Sequence, residues 1–248
     1  MRDLIPPVRA LRAVVLDTDG VITDSARLHA EAWKTVFDAF LQEHPPRLAA
    51  HRRPFDIGLD YPRYVDGKAR RDGAAAFLTS RGLHPDPAAV EAVAADKDRR
   101  YTEHLHRNTA VPAYPGTVSL LHVLLGSGVL LAAASASLHA RELLTRARVL
   151  DLFDTVVDGT EAARLKLRGK PAPDLFLEAA RRLRTAPART AVVEDALAGV
   201  EAGRRGGFGL VIGVDRTPGR ERTRELLLHG ADLVVADLGD LLKEEASP

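Results

Sequence analysis

Acids and one lysine, in three short stretches, carry the chemistry this sequence suggests: Asp17-Thr18-Asp19-Gly20, Lys170-Pro171 and Glu194-Asp195. Together they point to phosphate chemistry on a hard metal ion. A carboxylate that attacks phosphorus splits one difficult transfer into two easier ones through an aspartyl-phosphate. Asp17, the first residue beyond the apolar run Ala13-Val14-Val15-Leu16, is the natural nucleophile. Asp19, two residues on, is free to act as acid toward a leaving oxygen and as base toward an incoming hydroxyl, help worth about 10²- to 10⁴-fold. Gly20 lets the backbone turn sharply beside the phosphate. A phosphate dianion repels a carboxylate, so a cation must stand between them. Mg²⁺ suits this place because it takes few carboxylates, keeps waters and accepts a phosphate oxygen. Asp17 and Asp195 are its expected ligands, and Ser135 and Lys170 are expected to hold the equatorial oxygens, where charge accumulates. Each motif also has a plain structural reading. Asp-x-Asp-Gly makes turns and calcium-like loops, a lysine before proline starts helices, and Glu194-Asp195 are ordinary N-cap acids.

These residues need a scaffold that delivers them to one place. Apolar runs bounded by turn residues recur at 13–16, 129–134, 155–157, 190–193, 209–214 and 232–235, and helical patterning falls at 116–126, 138–148, 173–184 and 196–205. Strand alternating with helix predicts an α/β fold, a Rossmann-like parallel sheet flanked by helices, whose chemistry sits at the carboxyl edge. Between the first strand and the second the chain is far longer than a crossover needs. Helical patterns at about 26–41, 72–81 and 88–106 make that stretch an inserted α-helical cap. The expected domains are therefore a core of 1–24 with 111–248 and a cap of 25–110, hinged near Asp24-Ser25 and Val111-Pro112, which closes over the site and excludes water. Residues 44–66, with Pro45, Pro46, Pro54, Gly58 and Pro62, read as an irregular loop.

Composition narrows the partners. In 248 residues, 35 Lys and Arg face 34 acids and the basic residues are scattered, which argues against a nucleic-acid footprint or a membrane patch. A hydrophobic fraction of 46% supports a sizeable core, and no cysteine is present for a disulfide, a thiolate metal site or a thiol nucleophile. The N-terminal apolar stretch is too short and too charged for a signal segment or a span. A soluble cytoplasmic monomer acting on a small phosphorylated molecule is the expectation.

Leu16-Asp17-Thr18-Asp19-Gly20-Val21, Ser135-Ala136-Ser137 after a strand, Gly169-Lys170-Pro171-Ala172-Pro173-Asp174 and Val193-Glu194-Asp195 resemble, in order and context, the four motifs of the haloacid dehalogenase superfamily. Asp24-Ser25-Ala26, His29, Trp33-Lys34 and Ala133-Ala134-Ser135-Ala136-Ser137 are similar to the β-phosphoglucomutase group within it. The resemblance spans essentially the whole chain. It implies a Mg²⁺-dependent phosphotransferase that isomerises β-glucose 1-phosphate to glucose 6-phosphate through a bound bisphosphate. The alternative on the same residues is a phosphatase of sugar or other small phosphates. It further implies that the Asp19 carbonyl completes the metal set, with Glu194 contributing directly or through water. Gly20, Ala136 and Ser137 line the substrate, Arg70 grips the distal phosphate, Lys97 faces the sugar phosphate and His29 lies near Asp19 at the hinge. Trp33, four residues after His29, is read equally as core packing or as a substrate-side wall. For Arg70 and Lys97 the competing reading is a solvated surface charge. Two departures stand out: Leu138-His139 replace a Lys-Asn pair on the sugar-facing rim, and Thr18 replaces the usual Leu.

Overall fold

The structure, a computed structural model, describes residues 3–107, 111–217 and 220–243. Residues 1–2, 108–110, 218–219 and 244–248 of the expected domains lie outside the described residues. The chain divides into two compact units, the first running to Asp24 and resuming at Val111, the second beginning at Ser25.

The first unit opens with β1 (Asp3–Leu4), α1 (Pro6–Arg9) and β2 (Ala13–Leu16). The second contributes α2 (Ala26–Glu43), α3 (Arg70–Ser80) and α4 (Pro87–Arg107). The first then continues through α5 (Pro115–Gly126), β3 (Leu130–Ala134), α6 (Ala140–Arg146), β4 (Thr155–Val157), α7 (Gly159–Arg164) and α8 (Asp174–Arg182). It ends with β5 (Thr190–Glu194), α9 (Leu197–Arg205), β6 (Leu210–Val214), α10 (Glu221–His229), β7 (Leu233–Val235) and β8 (Leu242–Lys243).

Six strands form one parallel sheet in the order β4-β3-β2-β5-β6-β7, as the strand-helix alternation predicts, and β1 pairs antiparallel with β8 apart from it. Successive side chains of a strand point to opposite faces, and both faces of a parallel sheet are covered. The odd and even residues of β2 divide accordingly. Val14 and Leu16 join Leu131, Ala133, Val193 and Ile212 under Leu120, Leu121 and Leu124 of α5. Ala13 and Val15 join Ala132, Val192 and Val211 over Phe176 of α8, Val200 of α9 and Leu226 of α10.

Register fixes where the chemistry emerges. Leu16 lies beside Ala133 of β3 and Val193 of β5, so Asp17, Ser135 and Asp195 leave neighbouring strands at one edge. The chain runs outward from β2 through β3 to β4 and then returns to β5 on the far side of β2. That reversal places the topological switch point at β2, where open α/β sheets bind ligands.

The second unit has its own core. Trp33, Phe37 and Leu41, spaced by four along α2, pack with Phe55, Val65, Phe77 and Val93. Phe37 stands 4.1 Å from Phe77, which meets Phe55 edge-on at 5.0 Å. The segment 44–66 is more ordered than its prolines suggest. It contains a 3₁₀ turn at Ala49–His51 and a π-helical turn at Tyr61–Val65. Asp60, 1% exposed, accepts two 2.7 Å bonds from Arg53, one of 2.7 Å from Arg81 and one of 2.9 Å from the Asp56 N–H. A buried carboxylate saturated by two guanidinium groups fixes the loop through partners distant in sequence. No helix among the described residues is long and apolar enough to cross a membrane.

Candidate active site

At the carboxyl edge of β2 the first residue out is buried. Asp17 is 5% exposed and its N–H donates to the Val193 carbonyl, which carries the sheet ladder one step past the strand. Its Oδ2 accepts the Asp19 N–H at 3.0 Å, closing a tight turn over this carboxylate. Lys170 reaches in beneath the loop that precedes α8 and donates to both Asp17 Oδ1 and Glu194 Oε1, at 2.5 Å each. Ser135, 1% exposed, donates to Asp19 Oδ2 at 3.3 Å and accepts the Ser137 N–H at 3.1 Å. The residues read from the first, second, third and fourth motifs therefore converge in the first unit. Ala136 and Ser137 continue from Ser135 into a turn closed by the Gly159 N–H on the Ser137 carbonyl at 2.9 Å.

Electrostatics separates these groups. Burial pushes the Asp17 carboxyl well up, Glu194 and Asp19 push it further, and Lys170 pulls against them. Burial works against the Lys170 charge too, yet Asp17 and Glu194 outweigh it and hold the ammonium firmly protonated. One lysine serves two buried carboxylates with a third acid adjacent, so the pocket is short of positive charge.

That shortage suits a hard cation, and the local backbone leaves room for the donors. Gly20 has a φ of +82°, and a Cβ there would stand 1.9 Å from Asp195 Oδ2, so only glycine admits the Asp195 carboxylate against this loop. Asp17, Asp195 and the Asp19 carbonyl are two hard anionic donors and one neutral one, the chemistry Mg²⁺ prefers. Glu194, expected to contribute to the metal directly or through water, is bonded on both carboxylate oxygens, as Asp17 is. It is fully buried, its Oε1 is taken by Lys170 and its Oε2 accepts the Ala196 N–H at 2.8 Å. Its task in this geometry is the counter-charge of Lys170. Among the described residues no group of three or more His, Cys, Asp or Glu side chains converges on one point as metal ligands would.

In the second unit, His29, Trp33 and Lys97 come together between α2 and α4. Lys97 is 5% exposed, which removes the solvated-charge reading. Its Nζ lies 2.6 Å from His29 Nδ1, 4.6 Å from the Tyr101 ring centre and 5.6 Å from that of Trp33. The His29 ring stacks on Tyr101 at 4.0 Å. Trp33 also joins the aromatic core through Phe37 at 4.7 Å, the packing reading of this residue. Arg70 opens α3 half-buried, with a buried Nε that has no hydrogen-bond partner. Leu138 and His139, the departures on the rim, are half-buried.

Sequence reasoning missed Arg216, Arg222 and Tyr114. Arg216 donates to the Gly20 carbonyl at 2.8 Å, and Arg222 donates to the Asp195 carbonyl at 2.9 Å. The signal was present: Asp215-Arg216 stands just past an apolar strand, as Asp17 does.

Residues 11–207 match the family model described as haloacid dehalogenase-like hydrolase. The chain belongs to the haloacid dehalogenase-like hydrolases. Within that family it is 40% identical over 241 residues to a beta-phosphoglucomutase of Mycobacterium bovis, covering 94% of this chain and 92% of the relative. A beta-phosphoglucomutase of Bacillus subtilis is 32% identical over 236 residues, covering 94% and 93%. The fold is also that of the crystal structure of beta-phosphoglucomutase from Clostridium difficile, with a TM-score of 0.73 at 24% identity over 93% of each chain. The chain is accordingly an enzyme of the phosphotransferase and phosphatase type that characterises this hydrolase family.

Proposed function

We propose that this haloacid dehalogenase-like enzyme is a β-phosphoglucomutase, converting β-glucose 1-phosphate to glucose 6-phosphate through a bound bisphosphate. The observation that carries the reading is Lys170 bridging Asp17 and Glu194 at 2.5 Å each, directly past the central strand. The 40% identity to the mycobacterial relative supports the choice of reaction.

Asp17 attacks the phosphorus of the donor ester and its carboxylate becomes an acyl phosphate while the ester oxygen departs. Asp19, bonded to Ser135, protonates that oxygen. In the second half, Asp19 takes the proton of the incoming sugar hydroxyl, whose oxygen attacks the same phosphorus and frees Asp17. Lys170 and Ser135 hold the equatorial oxygens, and Glu194 keeps Lys170 in place. Asp17, Asp195 and the Asp19 carbonyl would hold Mg²⁺, which would supply the positive charge that lets two anions approach.

The second unit serves this reading as the cap. Arg70, whose Nε is buried without a partner, offers a guanidinium edge for the distal phosphate. Lys97 and His29 contribute the sugar-phosphate side. The second reading, a sugar-phosphate phosphatase, uses the same Asp17 and Asp19 with water as acceptor, and the family description as a hydrolase favours it.

Incubating β-glucose 1-phosphate with enzyme, Mg²⁺ and a trace of the 1,6-bisphosphate, and following glucose 6-phosphate and free phosphate in parallel, separates the two. Glucose 6-phosphate without phosphate release supports the mutase, and stoichiometric phosphate establishes the phosphatase. No product in either channel removes β-glucose 1-phosphate as the substrate.

A further inference from the structure

A segment outside all four motifs holds the two loops that carry Asp19 and Asp195. Beyond β6, Asp215 is buried with its carboxylate saturated. Its Oδ1 accepts the Thr217 N–H at 3.0 Å and the Thr217 hydroxyl at 2.5 Å, and its Oδ2 accepts the Thr223 hydroxyl at 2.6 Å. The Asp215 N–H donates to the Val235 carbonyl at 2.9 Å. This network fixes the turn from which Arg216 projects.

Arg216 makes two contacts of different kinds. Its Nη1 donates to the Gly20 carbonyl at 2.8 Å, and its guanidinium carbon lies 3.6 Å from the centre of the Tyr114 ring. The Tyr114 hydroxyl donates to Asp24 Oδ1 at 3.1 Å, and the Tyr114 N–H donates to the Ile22 carbonyl at 3.0 Å. The Gly20 N–H meanwhile donates to the Thr23 carbonyl at 2.9 Å. Gly20 is thus bonded on both sides of its α-carbon, in a left-handed conformation that has no intrinsic preference over its alternatives. Freed from Arg216, the Gly20–Val21 peptide would lose its fixed direction, and the adjoining Asp19–Gly20 peptide, which presents the Asp19 carbonyl, would be held by the Gly20–Thr23 bond alone.

We propose that Arg216 is a positioning residue for phosphoryl transfer: it fixes Gly20, and through Gly20 the Asp19 main chain, by one charged hydrogen bond and a cation–π contact with the Tyr114 ring. The inference rests on the phosphotransferase reading for its consequence on rate, but not for its consequence on the loop. A planar guanidinium offers a donor edge and a weakly hydrated face to the ring at once, a geometry better suited to this pair of contacts than a point-like ammonium.

The test compares wild type with Arg216→Ala by amide hydrogen exchange without added metal and by steady-state hydrolysis of an aryl phosphate with Mg²⁺. Exchange across residues 18–23 is expected to accelerate about tenfold, the factor that follows loss of a charged hydrogen bond, with β5 and β6 unchanged. The kcat is expected to fall about tenfold with KM inside about twofold, and millimolar guanidinium to restore part of it. Should the alanine variant fail to fold, Arg216→Gln carries the same readouts. Unchanged exchange across 18–23 overturns the proposal. So does acceleration spread evenly through β5 and β6 with no rescue by guanidinium, the behaviour of a merely structural arginine. A wild type that transfers no phosphoryl group sinks the functional reading, while the exchange result still decides the role of Arg216 in the loop.

Discussion

Gly199 in α9 packs its α-carbon against Glu194, and adding one methyl there is a sharp test of how Lys170 is held. A Cβ on residue 199 would lie 1.7 Å from Glu194 Oε1 and 2.0 Å from its Cδ. Ordinary contact needs about 3.5 Å, so the carboxylate must retreat by about 1.5–2 Å. That breaks its 2.5 Å bond to Lys170 and its 2.8 Å bond to the Ala196 N–H, both inside a site with no exposed surface at Glu194. Hydrogen bonds to charged groups contribute about 1.5–3 kcal/mol each, and the alanine returns about 1 kcal/mol of helix propensity. Gly199→Ala should therefore cost about 2–5 kcal/mol in urea unfolding, with aryl-phosphate turnover falling in the same variant as Lys170 loses its anchor. Adding Glu194→Asp shortens the acid by one methylene and relieves the clash, so the double variant should be more stable than the sum of the singles by about 1–3 kcal/mol. A single variant within 1 kcal/mol of wild type, or a strictly additive pair, would refute the argument that this glycine exists to seat Glu194.

Three further changes probe other parts of the molecule. Asp60→Asn should destabilise the second unit by about 3 kcal/mol in thermal or urea unfolding, because it leaves the buried Arg81 guanidinium without its full counter-charge. Burial raises the Asp60 carboxyl, but bonds from Arg53, the Asp56 N–H and Arg81 outweigh it and hold it below its ordinary 3.8. Its contribution is therefore complete above that value and lost as pH falls through the folded one, so the wild-type and variant stability curves should converge on acidification. Curves that stay parallel down to the acid transition count against it. Thr18 carries a buried hydroxyl with no hydrogen-bond partner, so Thr18→Val should raise stability by about 1 kcal/mol, and a fall in the unfolding midpoint contradicts this. Arg70→Ala should reduce conversion of β-glucose 1-phosphate at least about tenfold more than hydrolysis of an aryl phosphate, since only the former presents a distal phosphate. Equal losses on both substrates remove Arg70 from that role.

The six strands of the sheet were readable because each is a short apolar run with turn residues at both ends, and because burial on both faces demands that uniformity. Asp17, Ser135 and Glu194-Asp195 were readable because each follows or flanks such a run, and Lys170 because it stands before Pro171 at the head of a helical pattern. What escaped was short or was held by distant partners. The two-turn α7 begins at an N-cap, Asp158, which accepts the Glu161 N–H at 2.9 Å, and α10 ends at Gly230 in the left-handed region; both signals lie in the sequence but are weak beside hydrophobic periodicity. The order of the segment 44–66 depends on Arg81, far along the chain from Asp60. The role of Glu194 depends on which neighbour takes its oxygens, and residue type alone does not encode that choice.

The central position of β2 also sets a timetable. Emerging from the ribosome, Ala13-Val14-Val15-Leu16 precedes everything it will pair with, since its two neighbours are β3 and β5. The second unit, with an aromatic core of its own, is synthesised while β2 waits. Nascent chains that stop short of residue 194 lack Glu194, and with it one of the two anions that draw Lys170 into the site. The strand that carries Asp17 thus keeps both edges open until β3 is made and one edge open until β5 is made, an apolar ribbon exposed across that interval. Any slowing of synthesis between β3 and β5 lengthens that exposure, and with it the opportunity for self-association.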